Sequence, residues 1–232
     1  MNPKLLFLLC MIYANSQSTN SDLLTGKGNP AWDSQGMHPT AMEAFKKMQD
    51  AAKTAGIDLE LVSGYRSYDR QRSIWNRKYK QFTAEGMTGP DAIQKIITYS
   101  TLPGTSRHHW GTDIDITDGN IPKEGDILVA EKFHNGGPYE PLRIWMETHA
   151  EDFGFFLVYT NDPNRKGFAY EPWHYSYAPL SITFLKEYIR LSLIDKLSDH
   201  KLEGAMHMDA AFLSRYKNQQ LLDINPLLID LQ

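Results

Sequence analysis

Adjacent histidines and two aspartates at i, i+2 spacing stand inside the segment TSRHHWGTDID, Thr105 to Asp115, and a Glu-x-x-His, Glu171 to His174, follows later in the chain. Histidine nitrogens and carboxylate oxygens are the donors a hydrolytic zinc takes, in threes, with a fourth position left open for water. The ion lowers the pKa of that water to about 7. A carboxylate outside the ligand set then takes and returns the proton. His108 or His109, Asp113 or Asp115, and His174 offer such a ligand set, and Glu171, three residues before His174, offers the base. Pro172 keeps this Glu-x-x-His off a helix. In a regular strand Glu171 and His174 would face opposite ways, so a bend near Pro172 is required for both to reach one ion.

No thiol competes for the role. The one cysteine, Cys10, lies in MNPKLLFLLCMIYANSQS, where Lys4 precedes an apolar run from Leu5 to Ala14. That is the form of an export signal, too short to span a bilayer as a mature helix. Ala14 and Ser16 stand at cleavage-site spacing, so residues 1–16 are expected to be removed, Cys10 with them. A lipoprotein with acylated Cys10 fits less well, because Leu9 stands where a small residue is expected. Without a thiol, a cysteine nucleophile, a thiolate metal site and a disulfide framework are all excluded. With 232 residues and 41% hydrophobic content the chain can bury a core unaided. A net charge of −4 favours neither nucleic acid nor an anionic membrane surface as partner.

The elements that must position these residues follow from periodicity and punctuation. After a Gly-, Pro- and Asn-rich loop, Thr40 to Ala55 has helical spacing with Gly56 as its stop. Leu59 to Gly64 reads as a short buried strand, Asp69 to about Phe82 as a helix, and Pro90 to Tyr99 as another with proline in its first turn. DIDIT alternates strictly, a strand with its aspartates on one face and isoleucines on the other. Pro138 to Phe153 reads as a helix, GFFLVYT as a strand, EPWHYSY as extended, and Ile182 to Leu197 as an amphipathic helix. Strands and helices mix without βα alternation, which points to an α+β fold with a small, mostly antiparallel sheet flanked by helices. The basic residues of RQRSIWNRKYK read as a solvated helix face. His38, His134, His149, His200 and His207 lack a partner at ligand spacing.

The order of motifs resembles the zinc D-Ala-D-Ala carboxypeptidases and dipeptidases of the VanY type, whose fold is shared by the hedgehog signalling domain. Ser106, His108, Gly111 and Asp115 match the family's Ser-x-His…Gly…Asp pattern, Glu171 and His174 its later Glu-x-x-His, and Ser63 to Ser67 (SGYRS) its strand-end element. The resemblance covers roughly residues 40–180. It implies a peptidase core there, a loop segment over 17–39 and a C-terminal helical extension over 181–232. It also implies one Zn2+ on His108, Asp115 and His174, with Glu171 as base and Arg66 stabilising the oxyanion. Ser106 and Gln71 would bind substrate beside them. Asp113 departs from the pattern, which usually has a small apolar residue there. Its expected roles are to orient a ligand, add negative charge or compete for the metal. The activity implied is removal of the terminal D-Ala from peptidoglycan stem peptides by an exported enzyme of the bacterial periplasm or envelope, with no nucleic-acid partner and no membrane span after signal removal. L,D-carboxypeptidase, endopeptidase or dipeptidase action on the same site, or a non-catalytic hedgehog-like zinc-bearing binder, are the alternatives. Residues 119–138 are the expected cleft wall, with Trp110 and Trp173 as further candidates.

Overall fold

A computed structural model of the protein describes residues 21–32 and 36–230. The expected signal segment, its expected cleavage point and Cys10 lie outside these. Seven α-helices are present among the described residues: α1 (Ser21–Leu24), α2 (Pro39–Thr54), α3 (Tyr68–Ala84), α4 (Gly89–Ile96), α5 (Glu140–His149), α6 (Ala178–Arg190) and α7 (Ala210–Tyr216). They flank one antiparallel sheet of four strands, β1 (Leu59–Ser63), β2 (Asp113–Asp118), β3 (Phe155–Leu157) and β4 (His174–Tyr177), in the order β1-β2-β4-β3. This is the α+β architecture the pattern indicates.

Helix α2 buries Ala41, Phe45, Met48 and Ala52, one face at helical spacing, and sets Phe45 edge-on to Phe155 of the sheet. Its first turn is capped by the His38 ring, which accepts from the Thr40 amide. Ser67 caps α3 and Thr88 caps α4 by the same means. All six residues of β2 are buried, so both of its faces are covered. One face carries Ile114 and Ile116 into the apolar core with Tyr175 and Tyr177 of β4. The other carries the aspartates.

Three helices differ from the spans read by periodicity, the one expected to run to Tyr99 ending at Ile96. The helix expected from Ile182 begins at Ala178, because Pro179 is tolerated in a first turn, and it ends at Arg190, two residues before Ser192 turns left-handed at φ 49°. The segment from Pro138 to Phe153 splits into α5 and a 3-10 turn at Ala150–Phe153, closed by Gly154 at φ 81°.

Helix α6 and the chain beyond it return to the face where the opening motif sits. The Tyr188 hydroxyl donates to the Gly104 carbonyl, and the Tyr216 hydroxyl accepts from the Leu102 amide. Asp199 accepts from the Tyr68 hydroxyl and from Arg72, tying the returning chain to α3. Burial opposes the Asp199 charge, but the Lys201 amide, Arg72 and Tyr68 outweigh it and hold the carboxyl below its usual range. A carboxyl so lowered contributes stability at pH values above its unfolded value of about 3.9 and loses it as pH falls through the lower folded value. Asp199→Asn is therefore expected to destabilise the protein by about 1–3 kcal/mol near neutrality. The gap should close in denaturant titrations repeated at progressively lower pH below about 4.

Candidate metal centre

The β2–β4 register assembles the site. Asp115 stands directly opposite His174, and Asp113 opposite Ser176, so the four side chains share one face of the sheet. On the other side of β2, a bulge between Leu61 and Ser63 shifts the pairing so that Ser63, not Val62, faces Asp115. The SGYRS segment then passes so close to the loop before α2 that a Cβ on Gly64 would run into the Gly36 carbonyl. Glycine is required there by approach rather than by backbone angle.

This crossing fixes the first ligand. The Gly64 carbonyl can only accept, so His108 donates Nδ1–H to it at 2.8 Å and leaves Nε2 bare. That nitrogen lies 3.4 Å from Asp115 Oδ2. The His108 backbone accepts from the Arg66 amide, and Gly111, at φ 65°, closes the 3-10 turn Arg107–Trp110 that presents the ring. His109 is spent otherwise. Its Nδ1–H donates to the Arg66 carbonyl and its Nε2 accepts from the Gly104 amide, and burial drives its pKa down to about 3. A neutral ring with both nitrogens used has no lone pair for an ion.

His174 enters from β4. Its Nδ1 lies 3.7 Å from Asp115 Oδ1 and 2.9 Å from Glu171 Oε2, while its Nε2 lies 3.0 Å from Asp113 Oδ2. Burial works against a charged ring, but the bonds to Asp113 and Glu171 prevail and push the pKa up to about 10. Burial likewise opposes the Asp115 charge, yet the two histidines and Arg66 hold that carboxyl down to about 2. The bend demanded by Pro172 is present: the His174 amide donates back to the Glu171 carbonyl, and the strand begins only at His174. Glu171 and His174 therefore face the same cleft.

One donor atom each from His108, Asp115 and His174 lie within 4.8 Å of one another. A tetrahedral ion with bonds of about 2.0–2.1 Å needs donors about 3.3 Å apart, and each histidine lies near that distance from an Asp115 oxygen, His108 from Oδ2 and His174 from Oδ1. Two imidazoles and a carboxylate fit a divalent ion of the zinc type. The donor set fits the group.

The centre opens on a cleft of about 530 Å³. Arg66, Ser106 and Glu171 line it, Asp126 and Leu128 to Glu131 from the 119–138 segment form one wall, and Trp173 forms another part. Arg66 is aimed by bonds to Ser63 Oγ and Gln71 Oε1, with its Nη2 3.7 Å from Asp115. Among the described residues, the buried Ser106 hydroxyl has no hydrogen-bond partner, and neither do Thr101 Oγ1 and Arg107 Nη1 on the same cleft.

Three expectations are corrected. Gln71 is not among the cleft-lining residues: it is fully buried behind Arg66, its amide used by Arg66 and by the Thr101 carbonyl. Trp110 packs in the core and donates to the Leu24 carbonyl. Arg77 and Lys78, read as solvated, line the cleft, and Lys78 donates to Ser100 Oγ. The part played by Arg107 and Ser176 was missed. Aligning the two motif strands on Asp115 and His174 would have put Ser176 beside Asp113, two residues along each.

A protein-family model described as VanY, D-alanyl-D-alanine carboxypeptidase, matches residues 34–180. A D-alanyl-D-alanine carboxypeptidase of Enterococcus faecalis is 32% identical over 129 residues, which span 55% of this chain but only 43% of that relative. Among solved structures, VanYB in complex with D-alanine-D-alanine superposes with a TM-score of 0.51 at 26% identity, covering 66% of this chain and 77% of that one. A VanY D,D-pentapeptidase mutant in complex with Zn(II) has a TM-score of 0.50 at 24% identity, over 70% of this chain and 84% of that one, and bears on the fold alone.

The triad makes a direct prediction. Asp115→Ala or His108→Ala should reduce uptake of a divalent ion from about one per chain to a small fraction of that. His134→Ala, whose ring bonds Tyr170 outside the triad, should retain it. Equilibrium dialysis with elemental analysis reads the difference.

Proposed function

The chain belongs to the VanY family of D-alanyl-D-alanine carboxypeptidases, and from that premise we propose that it is a zinc-dependent peptidase that removes the C-terminal D-alanine of peptidoglycan stem peptides. The observation that carries this reading is the convergence of the His108–Asp115–His174 triad with Glu171, Arg66 and the unpartnered Ser106 hydroxyl on one cleft. The VanYB structure holds D-alanine-D-alanine, the chemistry proposed for this cleft.

A bound zinc supplies Lewis acidity, polarising the scissile carbonyl and making water acidic near neutrality. Glu171 lies outside the triad but beside it, 2.9 Å from His174 Nδ1. Its carboxylate takes the proton of the attacking water and delivers it to the leaving amine nitrogen. Arg66 holds a permanently charged planar fork at the same wall, locked from behind by Gln71 and Ser63, and it stabilises the developing oxyanion. Ser106 donates to the terminal carboxylate of the substrate. An orphaned buried hydroxyl costs about 1–3 kcal/mol, and a carboxylate oxygen recovers it. Arg77 and Lys78 add positive charge along the cleft that receives this anion. Removal of residues 1–16 and export to the cell envelope would bring the enzyme to its polymer. No helix among the described residues is long and apolar enough to cross a membrane.

The deciding assay offers a synthetic stem pentapeptide ending in D-Ala-D-Ala to the purified protein and follows products by mass. Loss of one alanine, stopped by a chelator and restored by zinc, is the expected outcome. An intact pentapeptide with cleavage of a tetrapeptide, a free dipeptide or a cross-linked stem would reassign the specificity to L,D-carboxypeptidase, dipeptidase or endopeptidase action. Zinc bound with every substrate intact would leave a hedgehog-like binder. In the same assay Glu171→Gln should keep its zinc while kcat falls by about 100- to 10,000-fold. Activity within tenfold of the parent would remove Glu171 from the role of base.

A further inference from the structure

Asp113 has no exposed surface and belongs neither to the triad nor to the cleft lining, yet it is the most heavily bonded carboxylate of the site. Its Oδ2 accepts from Arg107 Nε at 2.9 Å and lies 3.0 Å from His174 Nε2. Its Oδ1 accepts from Thr112 Oγ1 at 3.0 Å and from Ser176 Oγ at 2.6 Å. Ser176 in turn accepts from Arg107 Nη2 at 2.7 Å, so its single proton is directed onto Asp113. A carboxylate offers about four lone-pair positions, and all are taken. Asp113 therefore has nothing left to give a metal, which removes it as a competing ligand.

What it does instead follows from the donors. Beside buried Arg107 the carboxylate stays ionised, and it can only accept. The His174 nitrogen facing it must carry a proton, because a bare lone pair there would meet a negative oxygen. Nδ1 faces Asp115 and Glu171, and because Asp113 retains the Nε2 proton, the proton that gives way to a metal is the one on Nδ1. Tyr159 packs at right angles against the His174 ring, at 5.0 Å between centroids.

We infer that Asp113, clamped by Arg107, Thr112 and Ser176, is the positioning residue of the centre, holding His174 in the one tautomer and orientation that presents Nδ1 to the metal. This rests on the zinc reading above and adds a residue to it. Partners of this kind are worth about 10- to 100-fold in metal affinity.

The test uses the full protein with Asp113→Asn. The variant keeps the volume but presents an amide in place of the carboxylate. Because loss of one partner can leave Arg107 buried and unpaired, the double variant Arg107→Leu/Asp113→Ala is made beside it, with both charges removed together. Zinc affinity is measured by competition with a chromophoric chelator, the Co(II)-loaded proteins are compared by visible absorption, and metal-free melting checks the fold. The expected result is a zinc affinity lower by about 10- to 100-fold in a variant that melts like the parent. It should come with an altered Co(II) spectrum and a loss in kcat larger than any change in KM. A folded variant with parental zinc affinity and an unchanged Co(II) spectrum overturns the inference and leaves the zinc reading intact. A parent that binds no zinc overturns both.

Discussion

Strands β2 and β4 lie far apart in the chain, and the side chains that could hold an ion come from both, so the site depends on how these two strands are paired. Because side chains alternate along a strand, a slip of one residue would turn His174 and Ser176 into the core and bring Tyr175 and Tyr177 to the cleft. The apolar face resists that slip. Ile114 opposite Tyr175, with Ile116 beside them, buries its side chains only in the observed register. Burial energy on one face of the sheet thus fixes the geometry of the polar groups on the other. The bulge in β1 completes the arrangement by bringing Ser63 opposite Asp115, where it can hold Arg66.

The polar face is a concentration of charge that would not survive burial unpaired. Asp113, Asp115 and Glu171 are all buried, and Arg107, Arg66 and His174 lie among them. Arg107 also rests against the Trp110 ring, its guanidinium carbon 4.8 Å from the ring centroid, which covers one side of the cation with aromatic surface. Such pairs contribute little net stability once desolvation is counted, and their value lies in fixing which atom faces which. The carboxyls occupy different niches for that reason. Asp113 is saturated with donors, Asp115 looks toward both histidines, and Glu171 stands beyond the triad with access to the cleft.

Much of this was legible in the sequence because spacing survives folding. The alternation of DIDIT put both aspartates on one face, the proline in EPWH demanded a turn before His174, and the helical stripe from Thr40 located α2 to within a residue at each end. What could not be read depends on contacts between distant segments. His108 and His109 are chemically identical and each gives Nδ1–H to a carbonyl, and only the Gly104 amide on His109 Nε2 decides which ring is left a free nitrogen. Gln71 and Lys78 lie on one helix, yet the first is walled off by Arg66 and the second meets the cleft, a distinction set by how α3 packs rather than by its own pattern. Arg107 gave no signal as a neighbour of His108, because its partners Asp113 and Ser176 lie on two different strands.

The hydroxyls of Tyr188 and Tyr216 hold the segment from Leu102 to Gly104, which leads directly into Ser106 and His108. Both tyrosines come after His174 in the chain, and both lie past the stretch that matches the family model. A polypeptide growing from its N-terminus has therefore released all three donor residues before the two hydroxyls that brace the approach to the first of them exist. The composition of the centre is present early, but its shape is a property of the finished chain. A nascent or shortened polypeptide would carry the same two histidines and aspartate without that brace on the segment leading into Ser106 and His108 until the last turns dock.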